Sequence, residues 1–179
     1  MSRPAKPGKN PAKSPVGQSL RSAQELPVAT LGRRREQPFT YTPGLLEAVP
    51  LAASRDFPGQ TLWVALDCER FSSLCPITGQ PDWARLVIAY LPDRLLVESK
   101  SLKEYLTSFR QHGDFHEDVC RIIAGDLVRL LSPNYLEITG RFDSRGSIAI
   151  RPFVQYAKPG DAAMERLRDQ RRSAFDPGA

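Results

Sequence analysis

A cysteine stands seven residues ahead of an aspartate in "SLCPITGQPD", and this pair, Cys75 and Asp82, could do covalent chemistry. A thiol adds to an electrophilic carbon only as its thiolate, and a nearby carboxylic acid can deliver the proton that the developing anion needs. The same stretch is also ordinary turn chemistry, with Pro76, Gly79 and Pro81 where a tight connection would use them. Spacing alone therefore leaves two readings open: a nucleophile with its acid, or a half-buried small side chain beside a turn.

In "HGDFHEDVC", His112, His116 and Cys120 follow one another at i, i+4 steps that would share a face of one continuous helix and could hold zinc. Gly113 interrupts that helix. Asp114 and Glu117 have the spacing of a capping box, which would start a helix at Phe115 and leave His112 outside it. Glu117 has a second possible use, because a carboxylate can accept two parallel hydrogen bonds from the amino and ring N–H edge of a 2-amino-4-oxopyrimidine ring. Glu98, in "VESKSLK", poses the same alternative between an acid at a helix start and a substrate ligand. Lys100, Lys103, Arg110 and Arg145 are either solvated surface or the cations that a dinucleotide phosphate would seek where no glycine-rich loop exists.

The elements that must position these groups follow from periodicity. "YTPGLLEAVP" predicts a helical turn or two between prolines. "TLWVALDCERF" alternates with period two and "WARLVIAYL" has strand composition, so the Cys75 loop joins an antiparallel pair. "SKSLKEYLTSFRQHG" places Leu102, Tyr105, Leu106 and Phe109 at helical spacing and stops at Gly113. "DFHEDVCRIIAGDLVRLLSP" puts Val119, Ile122, Ile123, Leu127, Leu130 and Leu131 on one face and ends at Pro133. "YLEITGRF" and "SIAIRPFVQY" then flank the turn "DSRG". The order ββααββ predicts an α+β layer, an antiparallel four-stranded sheet with two helices packed on one face.

With 179 residues the chain suits one domain, and no apolar run is long enough to cross a membrane as a helix. The net charge of +5 is concentrated: residues 1–36 hold eight Lys or Arg against Glu25 and Glu36, which leaves the remainder near −1. That proline-rich segment has few large apolar side chains, so residues 1–30 are expected to form a disordered basic tail, followed by a domain at 31–165 and a C-terminal tail at 166–179. A nucleic-acid-binding role would rest on that tail alone. Three cysteines, Cys68, Cys75 and Cys120, do not make a disulfide framework, and a reducing cytoplasm is the expected home.

"SLCPITGQPD" and "VESKSLKEYLTSFRQHGDFHEDV", with "RFDSRGSIAIRPF" and "YAKPG", resemble the short, single-domain 7-cyano-7-deazaguanine reductases, over roughly residues 27–160. The resemblance implies an NADPH-dependent nitrile reductase of queuosine (tRNA modification) biosynthesis. Cys75 matches the family's nucleophile, which forms a covalent thioimide, and Asp82 its proton donor. Val97, Glu98, Ser99, His116 and Glu117 match substrate-contacting positions. Lys100, Lys103 and Arg145 are the expected ligands of the NADPH phosphates. The family is similar in fold to GTP cyclohydrolase I, the tunnelling fold, which implies a homo-oligomer of stacked pentameric rings with sites at subunit interfaces and no direct nucleic-acid partner. The family uses no metal, whereas a zinc-dependent cyclohydrolase of the same fold is the alternative that His112, His116 and Cys120 keep open. In some relatives a cysteine directly follows the "HED" and can pair with the nucleophile. Here Val119 intervenes, which puts a bridge between Cys75 and Cys120 in doubt.

Overall fold

The computed structural model of the chain describes residues 38–52 and 57–176. The basic tail expected at residues 1–30 lies outside the described residues. A 3-10 turn (Pro43–Leu45) leads into β1 (Ala48–Pro50), β2 (Val64–Leu74), β3 (Pro81–Leu91) and β4 (Leu95–Val97). Then come α1 (Ser99–Ser108), a second 3-10 turn (Phe109–Gln111), α2 (His116–Leu131), β5 (Tyr135–Phe142), β6 (Phe153–Ala157) and α3 (Ala162–Ser173). β2, β3, β5 and β6 form one antiparallel sheet in that order, while β1 pairs with β4 in a separate ribbon. The ββααββ unit is present, with two additions: the β1–β4 ribbon, and a helix that begins before residue 166 and occupies most of the C-terminal segment.

Period-two burial sets the sheet's inner face. On β3, Ala84, Leu86, Ile88 and Tyr90 are buried while Trp83 and Arg85 are exposed. That face meets Leu102, Tyr105, Leu106 and Phe109 of the α1 segment and Val119, Ile123, Leu127 and Leu131 of α2, in one cluster with Leu136, Ile138 and Phe142 of β5. Ile122 and Leu130, expected on the buried stripe, are only partly buried at its margin. Burying each such side chain contributes about 1.5–3 kcal/mol. One buried acid ties α1, α2 and the segment before the first turn together: Asp126 accepts hydrogen bonds from the hydroxyls of Tyr41 (2.7 Å) and Tyr105 (2.5 Å) and pairs with Arg129.

β2 does not keep one alternation along its length. Cys68 pairs with Leu86 and Phe71 with Ala84, so Glu69 and Arg70 stand together opposite Arg85 alone. Such a bulge reverses the parity of the strand. Val64, Leu66 and Cys68 pack on the helix side before it; Phe71 and Ser73 are buried there after it.

α3 lies across the other face of β5 and β6. Asp161 caps it by accepting from the N–H groups of Ala163 and Met164. Arg171 pairs with buried Glu137, which also accepts from the Tyr135 hydroxyl at 2.6 Å, and Phe153 stacks on Phe175 at 4.4 Å.

α2 packs tightly on the sheet at Gly140, where a Cβ would stand 2.8 Å from Cys120 Sγ and 3.1 Å from Phe142 Cε2. Gly140→Ala is expected to destabilise the protein by roughly 1–3 kcal/mol through overpacking, measured by urea denaturation. Because one contact causes most of the clash, the loss should be smaller in a Cys120→Ala background.

Candidate active site

Cys75 closes the β2–β3 hairpin. Its N–H donates to Gln80 O (2.8 Å) and its carbonyl accepts from Gly79 N–H (2.9 Å), with Gly79 at φ 65°, a conformation that glycine adopts without a Cβ penalty. This tight winding turns the Thr78 hydroxyl, the N–H groups of Thr78 and Ile77 and the Arg145 guanidinium toward the Cys75 sulfur. Each donor favours the anion. Led by the Thr78 hydroxyl, they draw the thiol down to about 6, so Cys75 is largely thiolate at neutral pH. The other two cysteines go the opposite way: burial raises Cys68, and burial together with the charge of Glu117 pushes Cys120 up to about 12. All three are free.

Asp82 sits opposite Ser73 on the helix side of β3 and is 4% exposed. With Cys75 bonded to Gln80, Asp82 is the diagonal neighbour of Cys75, about 7 Å away across the sheet face. Arg145 fills that gap, donating to Cys75 and Asp82 Oδ1, and more weakly to Gln80 O (3.4 Å). Its own position is fixed by a two-residue turn in which Arg145 and Ile148 exchange hydrogen bonds of 3.0 Å, and Gly146 and Ser147 both have positive φ. That is the type I′ geometry suited to a hairpin. Asp143 N–H, bonded to Trp83 O at 2.9 Å, anchors the turn to β3.

His116 opens α2, stacked on Phe142 at 3.9 Å between ring centroids and 8° between planes. Its Nε2 is 3.1 Å from Asp82 Oδ2 but out of hydrogen-bond alignment, and neither Asp82 Oδ2 nor His116 Nδ1 has a hydrogen-bond partner among the described residues. The site thus sets the His116 ring against Asp82 Oδ2 through Nε2, with Nδ1 buried on the other side of the ring.

The capping box expected at Asp114 and Glu117 does not form. α2 starts at His116 with Phe115 as N-cap, no side chain caps it, and Asp114 Oδ1 accepts from Phe115 N–H (2.9 Å) instead. The segment before the helix is committed elsewhere: Leu74 N–H donates to His112 O (2.9 Å) and Asp114 N–H to Leu74 O (3.2 Å), so it runs beside the end of β2. Glu117 is left exposed and relieved of capping. His112 packs between the rings of Tyr41 and Phe109, and Cys120 packs at Gly140; among the described residues no group of three His, Cys, Asp or Glu is arranged to hold a metal.

Glu98 caps α1, its carboxylate accepting from Lys100 N–H (3.0 Å) and Ser101 N–H (2.7 Å), and Val97 N–H donates to the Tyr90 hydroxyl at 3.2 Å. Tyr90 lies eight residues beyond Asp82 on β3, roughly 27 Å along the strand, so Glu98 and Cys75 belong to opposite ends of one chain. Ser99 and Lys103, with Arg70 and Arg110, line a groove of about 440 Å³ between α1 and β2, floored by Leu66, Leu102 and Leu106, and Lys100 is 4.0 Å from Glu104. Arg145, grouped with Lys100 and Lys103 from the sequence, is instead engaged at Cys75 and Asp82. Thr78 and Phe142, which help to set the site, were not picked out from the sequence. Thr78 could have been, because a hydroxyl three residues after a cysteine in a tight turn is placed to reach it.

A family model described as QueF-like protein matches residues 81–161. The NADPH-dependent 7-cyano-7-deazaguanine reductase of Bacteroides fragilis is 51% identical over 78% of this chain and 93% of its own length. The enzymes of that name from Bdellovibrio bacteriovorus (45%, covering 88% and 91%) and Bacillus subtilis (48%, covering 77% and 81%) are similarly alike.

The depressed Cys75 thiol has a direct readout. Its alkylation by iodoacetamide, followed on the Cys75 peptide by mass spectrometry, is expected to rise with a midpoint near pH 6 and then level off. Thr78→Val should move that midpoint upward, since it removes the leading donor to the anion; an unchanged midpoint would dismiss Thr78 as its cause.

Proposed function

We propose how this chain, which belongs to the family of NADPH-dependent 7-cyano-7-deazaguanine reductases, carries out on 7-cyano-7-deazaguanine the four-electron reduction to 7-aminomethyl-7-deazaguanine. The observation that carries the reading is the Cys75 thiolate held beside Asp82 by a shared guanidinium. The sulfur adds to the nitrile carbon, one π pair of the C≡N bond moves to nitrogen, and the Asp82 carboxyl gives up its proton to that nitrogen, which leaves a thioimide and a carboxylate. NADPH, when bound, supplies a hydride to that carbon, one from each of two molecules. Between the two reductions the carbon–sulfur bond breaks and the sulfur returns as thiolate to the donors of the Cys75 turn. His116, 3.1 Å from Asp82, is placed to restore the proton to Asp82.

Substrate recognition falls to Glu117, whose carboxylate is exposed and suited to the amino and ring N–H edge of the deazaguanine, with His116 and the segment Val97, Glu98 and Ser99. Glu98 is held in one orientation by the N–H groups of Lys100 and Ser101 at the start of α1. Lys103 and Lys100 would hold the cofactor phosphates. The groove at Lys103 fits such a ligand, with a cationic rim of Arg70, Lys103 and Arg110 over an apolar floor.

Because Glu98 and Cys75 lie at opposite ends of the chain, a site that uses both takes them from two copies, and we infer a homo-oligomer. Ile77, Phe115 and Ile148 support this: each is more than half exposed, beside the Cys75 turn, His116 or the Arg145 turn, and together they form an apolar rim for a second copy to cover.

Incubation with 7-cyano-7-deazaguanine alone should add the substrate's mass to Cys75. With NADPH present, two molecules should be consumed per aminomethyl product. Cys75→Ala is expected to abolish the adduct and Asp82→Asn to slow it by about 10²–10⁴-fold; a fully active Cys75→Ala protein would end the reading. Lys103→Ala should raise the KM for NADPH and leave the adduct rate alone. For the shared site, Cys75→Ala and Glu98→Gln proteins, each impaired, should regain part of the activity when unfolded, mixed and refolded together. Absence of any recovery in verified hybrids would place both residues in one copy.

A further inference from the structure

We propose that Arg145 is a positioning residue of the reaction, holding the sulfur of Cys75 as an anion at the correct separation from Asp82, rather than a ligand of the cofactor phosphates. The proposal rests on Cys75 being the nucleophile. Its own ground is the geometry of the guanidinium, which is planar, permanently charged and furnished with several fixed donors. Donors of that group reach the Cys75 sulfur, Asp82 Oδ1 and Gln80 O, and the backbone carrying them is pinned by the Arg145–Ile148 turn and by the bond of Asp143 N–H to Trp83 O on β3. The groove that contains Lys103 and Arg110 is not lined by Arg145.

Charge explains why a cation is needed at that point. Attack requires an anionic sulfur and, at the same time, a proton on Asp82. Two acids on neighbouring positions of one sheet face share protons, and with nothing between them a single proton goes to the sulfur, the more basic of the two. Arg145 counters this at the sulfur, where thiolate and guanidinium form a neutral pair, and its bond to Oδ1 leaves Oδ2, which has no hydrogen-bond partner among the described residues, as the oxygen nearest to hand for a proton transfer. The other titratable groups packed near Cys75 are His116 from α2, and His112 and Asp114 in the segment beside Leu74. His112 and Asp114 lie 3.5 Å from each other, His116 faces Asp82, and Arg145 is the fixed positive charge that reaches the sulfur.

Arg145→Gln and Arg145→Lys, checked for native circular dichroism, separate the two roles. Iodoacetamide labelling of Cys75 across pH should show a midpoint about one unit higher in Arg145→Gln, roughly fivefold less labelling near pH 6, with partial recovery in Arg145→Lys. Adduct formation from 7-cyano-7-deazaguanine without NADPH should slow about as much and recover as the pH is raised, while the KM for NADPH stays within about twofold of the parent. An unchanged labelling midpoint, or an unchanged adduct rate with a raised KM for NADPH, overturns the proposal. If the parent protein labels as expected yet forms no substrate adduct, the assignment of Cys75 as nucleophile fails on its own, and the labelling midpoints still decide whether Arg145 holds the anion.

Discussion

Glu69 and Arg70 stand opposite the single residue Arg85, and the side of the sheet on which chemistry can occur depends on that mismatch. With strict alternation from Val64, the even positions of β2 would face the helices and Cys75 would point away from Asp82. The extra residue exchanges the parity, so that Phe71 fills the core, Ser73 meets Asp82 and the next odd position, Cys75, joins them. A bulge leaves ladder groups unpaired and twists the strand. Here it also places Arg70 on the rim of the α1–β2 groove, so one backbone irregularity serves both the nucleophile and the candidate cofactor cleft.

Once Cys75 is on the helix side, its reactivity is a contest between burial and donors. Cys120 shows the outcome when burial acts almost alone: its sulfur touches the sheet at Gly140 and its thiol is pushed up to about 12. Cys75 carries the same side chain at the sheet end, half exposed, where the turn supplies two N–H groups and a hydroxyl and the next hairpin a guanidinium, and its thiol falls to about 6. The nucleophile is thus made by turn geometry, with little desolvation to work against.

The alternation of β3, the helical stripes of α1 and α2 and the order ββααββ were legible because they follow from apolar spacing that the core enforces. The bulge was passed over, although "DCERF" breaks the alternation with two polar residues in a row, Glu69 and Arg70, between Cys68 and Phe71. α3 escaped notice because "AMERLRDQRRS" has no apolar stripe; polar pairings such as Arg171 with Glu137 hold it to the sheet. The capping box at Asp114 failed for a tertiary reason, as the pairing of Leu74 with the segment around Gly113 outweighs a local cap worth about 1 kcal/mol. Cys75 and Asp82 could be named from sequence, but that Arg145 lies between them depends on a type I′ turn formed two strands away.

The length of β3 sets a further constraint. Asp82 begins the strand and Tyr90, next to its end, meets Val97 just before the cap of α1, so each chain carries the nucleophile at one end and Glu98 at the other. Among the described residues β2 and β6 each have one unpaired edge, an arrangement that proteins seldom leave open. In the homo-oligomer proposed above a neighbouring copy would bring its Glu98 to this chain's Cys75, because β3 holds the two about a strand's length apart within one chain.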